Sequence, residues 1–463
     1  AERDITHLVL NHRNHPCIVM WSIGNEIPEQ GSEEGRQMSI HLQGLCNALD
    51  PTRPVTQGMD HAERSIAGGF AQAMQVPGFN YRVHKYADNI KHLPQGFLLG
   101  SETASTVSSR GVYKFPVEVT DNSQYASWSP KYDPTAIEKA DGQCSSYDLE
   151  YCSWSNLPDD DWVWQDDYDW VIGEFVWTGY DYLGEPTPYD EYWPSRSSYF
   201  GICDLAGLPK DRYYLYRAHW NQQEPTLHLL PHWTWGTDSK ATKKARKKTE
   251  GRIGQVTPVY CYTSYPEAEL FVNGKSQGRR RQGHLTIDGD KAAQQRLLAD
   301  FKAGQPSLDL YRLRWNDVKY EPGEIRVVAY DANGNKAAEQ SIRTAGRPVA
   351  LRCAVETPLS DNGTLKADGQ DLAFVTCWLE DQDGNICPTA TDNLSFQVSG
   401  QGSYRAACNG DATSLQAFTK PEMRLFSGKL VAIVQAGRQQ GKAVLHISDA
   451  ERQLETSVEI PVR

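Results

Sequence analysis

The chain has 463 residues, 39% of them apolar, with 47 basic and 59 acidic side chains and a net charge of −12. That length accommodates about three domains, the acidic balance argues against a nucleic-acid partner, and no run of 18 or more apolar residues is present to span a membrane. The ten cysteines show no C-x₂-C spacing, so no structural zinc is expected, and they are too sparse for a disulfide scaffold. Cys144 and Cys152 share a loop, and their pairing stays open.

In chain order, residues 1 to 11 read as the end of a helix. Cys17 to Ile23 is an apolar, partly β-branched run that predicts a strand buried on both faces, with Cys17 as inert core filler. Ser32-Glu33-Glu34 opens an amphipathic helix whose apolar positions are Met38, Leu42, Leu45 and Leu49, ended by Pro51. Short strands follow at 53–57 and 78–81, then a helix from Tyr86 to Leu93 stopped by Pro94. The apolar run 96–100 (GFLLG) is a further strand. A long aromatic loop leads to a helical segment near 159–169, a strand at 171–177 and a closing helix, Arg212 to Trp220. Five β-α units imply a parallel sheet.

From about residue 222 the pattern changes to alternating strands with turn signals: PVYCYTS, AELFVNGKSQG and EIRVVAYDANGNKAAEQSIR. Asn273-Gly274, Asn333-Gly334 and Asp383-Gly384 mark hairpins. Residues 345–348 read as a boundary, giving two β-sandwiches in series. The basic run Lys240 to Lys248 reads as a solvated loop.

Polar groups appear where the apolar strands stop. Asn25-Glu26 ends the first, Ser101-Glu102 ends GFLLG, and Glu174 and Trp177 close WVIGEFVWTG. In parallel β/α folds the chemistry sits at the C-terminal ends of strands, so these carboxylates can converge on one pocket. On strand logic alone Glu102 and Glu174 compete for the same role. Tryptophan and tyrosine, 13 and 23 in number, concentrate in residues 113 to 235 and suit the C–H faces of sugars as well as a core.

Three segments carry a resemblance. NHPCIVMWSIGNE resembles the acid/base signature of glycoside hydrolase family 2, FLLGSETASTVSSRG the nucleophile segment of its bacterial β-galactosidase-like members, and GEFVWTGYDYLGEP their last barrel strand. AELFVNGKSQG looks like a family feature of the first C-terminal β domain.

The resemblance implies the back half of a (β/α)8 TIM barrel, strands 4 to 8, over residues 1–221. Two Ig-like β-sandwich domains follow at 222–345 and 349–463. The front half of the barrel and the domains before it are expected to be missing, so the chain reads as a C-terminal fragment with little hydrolase activity on its own. The implied reaction is retaining exo-β-glycosidase chemistry, β-galactosidase-like, with β-mannosidase, other β-hexosidase or endo action and a non-catalytic carbohydrate-binding piece as alternatives.

The resemblance makes Glu26 the acid/base and Glu102 the nucleophile. It gives Asn25 the sugar 2-hydroxyl, Tyr81 a hydrogen bond to the nucleophile, and Trp177 and Glu174 places in the sugar site. It implies a carbohydrate partner, compatible with a homo-oligomer, and neither cofactor nor metal in this part of the chain. It also implies a periplasmic or secreted location, with the cytoplasm as the alternative.

Overall fold

A computed structural model describes residues 1–166, 168–235, 252–283, 308–356 and 363–463. The basic run at 240–248 lies outside them. The chain divides into two compact units. One holds residues 1–106, 151–178 and 284–310; the other holds 107–150, 179–283 and 311–463.

The first unit begins with helix α1 (Glu2–His12), strand β1 (Trp21–Asn25) and helix α2 (Glu33–Leu49), followed by β2 (Val55–Met59). Two short helices, α3 (Ala62–Ala67) and α4 (Phe70–Ala73), lead to β3 (Val76–Asn80), α5 (Tyr86–Asn89) and β4 (Leu98–Thr103). Two-residue strands β5 (Thr106–Val107) and β6 (Glu150–Tyr151) frame the segment 107–150, which contains α6 (Pro134–Lys139) and belongs to the second unit. Helix α7 (Pro158–Gln165) and β7 (Val171–Val176) complete the first unit. The five longer strands form one sheet in the order β1-β2-β3-β4-β7, every pairing parallel. Central β2 and β3 are buried at every position.

Ser32 caps α2, its Oγ accepting from Gly35 N–H at 3.1 Å, as its place before two glutamates predicts. The helix buries a different face from the predicted one. Gly35, Ser39, Gln43 and Cys46 point inward, while Met38 is 51% exposed. The inward face is specified by polar pairing: Gln43 donates to Ala73 O and accepts from Gln75 N–H. Leu42, Leu45 and Leu49 do pack on a small core of Ile5, Val9, Trp21 and Val55.

The apolar run before the site is a second correction. Only Trp21–Asn25 is strand; Cys17 is exposed and Val19 is 65% exposed. Among the described residues β1 is an edge strand paired with β2 alone, and the segment leading to it follows Pro16 with no ladder partner. Apolar composition therefore did not bring burial. The helix predicted from Tyr86 to Leu93 is α-helical only to Asn89, then tightens to a 3₁₀ turn at Ile90–His92.

The second unit contains α8 (Asp211–Trp220), followed by β8 (Leu227–Leu230), β9 (Val259–Thr263), β10 (Glu267–Val272), β11 (Lys275–Arg281), β12 (Arg312–Trp315), β13 (Glu324–Tyr330) and β14 (Lys336–Arg343). These strands make two sheets, β11-β10-β13-β14 and β12-β9-β8, that share one core of Leu229, Cys261, Leu270, Trp315, Ile325 and Val327 among others. The remaining strands are β15 (Ala350–Val355), β16 (Leu372–Glu380), β17 (Asn393–Gly400), β18 (Gly402–Cys408), β19 (Glu422–Arg424), β20 (Lys429–Ala436), β21 (Gly441–Asp449) and β22 (Leu454–Val462). They form sheets β15-β16-β20-β18 and β19-β17-β21-β22 around a second core.

Asn273-Gly274 joins β10 to β11, with both residues at positive φ (47° and 79°), the backbone that a two-residue hairpin of this composition requires. All ten cysteines are free thiols. Among the described residues no helix is long and apolar enough to cross a membrane.

Candidate active site

The C-terminal ends of β1, β3 and β4 share a local device. The first residue beyond each strand sits in the left-handed region: Glu26 at φ 49°, Tyr81 at 58° and Ala104 at 49°. For non-glycine residues this backbone costs on the order of 1–3 kcal/mol each and persists only where surrounding structure enforces it. Here backbone bonds hold it: Glu26 N–H donates to Gly58 O at 3.0 Å and Tyr81 N–H to Glu102 O at 2.7 Å.

Asn80, the last residue of β3, is the centre of the cluster. Its Nδ2 donates to Glu26 Oε1 at 2.8 Å and to Asn25 Oδ1 at 2.9 Å, and lies 3.4 Å from Glu102 Oε2. Its Oδ1 accepts from Ser101 Oγ at 2.7 Å, which fixes the amide orientation. Asn25 Nδ2 reaches Glu102 Oε2 at 3.5 Å. The Tyr81 hydroxyl donates to the other oxygen, Glu102 Oε1. Burial of Tyr81, reinforced by the negative charge of Glu102, pushes its phenol far above the usual range, so it stays a proton donor.

β2 passes beneath this cluster as Gly58. A Cβ there would run into Asn25 Oδ1 and Asn80 Oδ1, so no larger residue fits under the two amides. Asn25 and Glu26 are exposed, whereas Glu102 is half-buried.

Glu174 on β7 is held differently. Its Oε1 accepts from Trp162 Nε1 at 2.9 Å; its Oε2 accepts from Thr103 Oγ1 at 2.7 Å and Gln165 Nε2 at 3.3 Å. Three donors from β4 and α7 anchor it, whereas Glu26 and Glu102 meet through Asn80. Trp177 follows β7, is half-buried, and its N–H bonds Thr103 O, one residue beyond Glu102. The Trp177–Thr178 peptide is cis. Trp154 meets the Tyr81 ring edge-on, centroids 6.5 Å apart, and donates to Ser105 Oγ at 3.1 Å.

The strand ends thus bring together Asn25, Glu26, Tyr81 and Glu102 and set Glu174 and Trp177 alongside through Thr103. Sequence reasoning missed Asn80, Thr103, Trp154 and Trp162, and gave Ser101 no role. Asn80 carried a signal, because GFNY ends a third apolar run in a polar residue, just as the runs before Glu26 and Glu102 do. Among the described residues no group of three or more His, Cys, Asp or Glu side chains could hold a metal.

Comparison with known proteins places the chain in a family. Residues 2–153 match the family description "Glycosyl hydrolases family 2, TIM barrel domain", and residues 359–457 match "Glycoside hydrolase family 2 C-terminal domain 5". The chain belongs to glycoside hydrolase family 2. Residues 254–338 match a domain of unknown function. Over 96% of its length the chain is 34% identical to a β-galactosidase of Bacteroides ovatus, covering 49% of that protein. It is 26% identical over 94% of its length to a putative β-glucuronidase of Formosa agariphila, covering 38% of it. A crystal structure of a β-glycosidase from Bacteroides vulgatus superposes over the whole chain with a TM-score of 0.76 at 28% identity, covering 53% of that protein. The chain spans about half the length, or less, of these relatives.

Proposed function

We propose that the protein containing this chain is a retaining exo-β-glycosidase acting on terminal β-galactosides, with Glu26 as acid/base and Glu102 as nucleophile. One observation carries the reading. An oxygen of each carboxylate binds the same nitrogen, Asn80 Nδ2, at 2.8 and 3.4 Å. Those two oxygens cannot lie further apart than the two bonds laid end to end, which falls short of the ~6.5–9.5 Å of inverting enzymes and is compatible with the ~5–5.5 Å of retaining ones. Glu102, gripped by the Tyr81 phenol and facing two amides, is positioned to attack the anomeric carbon. Exposed Glu26 protonates the departing oxygen and then activates water. Asn25, exposed beside Glu102, offers its amide to the sugar 2-hydroxyl. Glu174 and Trp177 flank the sugar.

The domain reading accompanies this: residues 1–221 as strands 4 to 8 of a barrel, with Ig-like sandwiches at 222–345 and 349–463. The edge position of β1 and the exposure of Ile172 and Phe175 on β7, 49% and 53%, support a sheet that continues beyond these strands. Export to the periplasm or outside the cell is part of the same proposal.

The relatives named β-glucuronidase favour a second substrate, a glucuronide. Against it, the resemblance implies that β-glucuronidases of the family carry an Asn-x-Lys element after the last strand to bind the carboxylate; the corresponding segment here, Ser197 to Tyr214, lacks it, and its one lysine, Lys210, is paired with Asp181 at 2.7 Å.

The test uses the full-length enzyme with nitrophenyl β-galactoside and β-glucuronide. Galactoside turnover is expected to dominate, Glu102→Gln to lower kcat by about 10³-fold or more, and a 2-fluorogalactoside to label the parent at Glu102 in mass spectrometry. Labelling of Glu174, or unlabelled protein with inverted product, would overturn the assignment.

A further inference from the structure

A cleft of about 440 Å³ in the second unit is lined by residues from α8, β8, β14, the turn at Asn385–Pro388 and the start of β20. Its volume falls in the range of small-molecule sites. Charges along its wall are settled within the protein, with one exception. Arg110 is paired with Asp204 at 2.6 Å and Arg343 with Glu324 at 2.9 Å. Asp211 is filled by three donors: the Tyr113 and Ser146 hydroxyls at 2.7 and 2.6 Å and the His228 ring at 2.7 Å. The exception is Lys429. Among the described residues no carboxylate forms an ion pair with its ammonium; burial and the charge of Arg110 lower its pKa, against a weaker opposing pull from Glu356.

A second donor stands in the same wall. His232 Nδ1 accepts from Thr234 N–H at 3.3 Å. Burial lowers the ring to a pKa of about 4 and keeps it neutral, so Nε2 carries the proton. Ser341 and Ser427 add hydroxyls. The wall also has apolar surface: Tyr214 stacks on His228 with centroids 3.9 Å apart, and Ile342, Ile386 and Pro388 line the cleft beside polar Thr234, Gln340 and Asn385.

A surplus cation, a neutral N–H donor, an acceptor carboxylate already saturated, and apolar surface match a ring-shaped ligand with one oxyanion group. We propose that this cleft is an accessory binding site for an acidic sugar, a uronic acid or a sugar phosphate, anchored by Lys429. The site is separate in sequence and chemistry from the strand-end carboxylates and does not depend on their assignment.

Calorimetric titration of the whole chain with galacturonate, galactose 6-phosphate, galactose and inorganic phosphate tests it. The acidic sugars are expected to bind, the stronger of the two identifying the oxyanion source, with galactose and phosphate at least about tenfold weaker. Lys429→Met is expected to weaken acidic-sugar binding by about tenfold or more while its thermal midpoint stays at or above the parent's, because a desolvated, unpaired ammonium has been removed. Ile386→Trp, on an exposed turn, is expected to block the cleft and gives a second measurement that leaves Lys429 in place. Undiminished acidic-sugar binding in both variants, galactose binding as tightly as galacturonate, phosphate alone binding as tightly as either acidic sugar, or no binding of any of them at millimolar concentration would overturn the proposal.

Discussion

Carboxylates at the strand ends and carboxylates inside the second unit are held by opposite means. At the strand ends, asparagine amides and a phenol donate to Glu26 and Glu102, and Glu26 stays exposed to water. In the second unit, Asp204 and Asp181 are buried and neutralised by Arg110 at 2.6 Å and Lys210 at 2.7 Å, with carbonyls taking the remaining donors of both cations. Neutral donors orient a carboxylate without abolishing its reactivity, whereas a buried cation locks it. The first arrangement suits proton and glycosyl transfer, and the second suits holding loops to a scaffold.

Four variants can break this contrast. Asp204→Ala strands the Arg110 charge and is expected to destabilise by about 3–5 kcal/mol in denaturant unfolding; a loss below about 1 kcal/mol would mean that the carbonyls alone hold Arg110. Asn80→Ala is expected to do the reverse, lowering kcat of the full-length enzyme by about a hundredfold with little change in unfolding midpoint. A large fall in stability with kcat intact would reassign Asn80 to structure.

The third concerns pH. Burial raises the folded pKa of Asp148 from 3.8 to about 6, against the opposing pull of Arg212 and Arg312. The folded chain therefore keeps a proton that the unfolded chain releases. The associated stability is fully present below the lower value and is lost as pH rises through the upper one, about 3 kcal/mol in all. Unfolding midpoints taken between pH 4 and 7 should fall across that window, and Asp148→Asn should flatten the slope; an unchanged slope removes Asp148 as its source. The smallest effect is expected from Tyr81→Phe, about tenfold in kcat with the fold intact, because Glu102 keeps its amide neighbours.

The sequence made the strand-end carboxylates readable because each follows an apolar run that its helical neighbours bracket. Glu26, Glu102 and Glu174 needed no three-dimensional information to be singled out. Asn-Gly turns were readable for the same local reason, as the φ values at Asn273 and Gly274 show. What was not readable depends on partners far away in sequence. Asn80 matters because β1 and β4 flank it across the sheet, and the buried face of α2 is set by Gln43 reaching the Ala73–Gln75 segment. Val19 and Cys17 look like core by composition, yet an edge strand leaves them outside. Buried Lys210 and Arg110 run against the habit of charges, and only their partners explain them.

The Asn80 amide has two hydrogens and faces three oxygens, on Asn25, Glu26 and Glu102. It can serve only two at full strength. If Glu26 and Glu102 act as proposed, whichever carries the proton at a given step needs that hydrogen least, and the amide can favour the one left charged. On the proposed assignment, one side chain is a shared rein on both carboxylates, tightening on one as the other lets go.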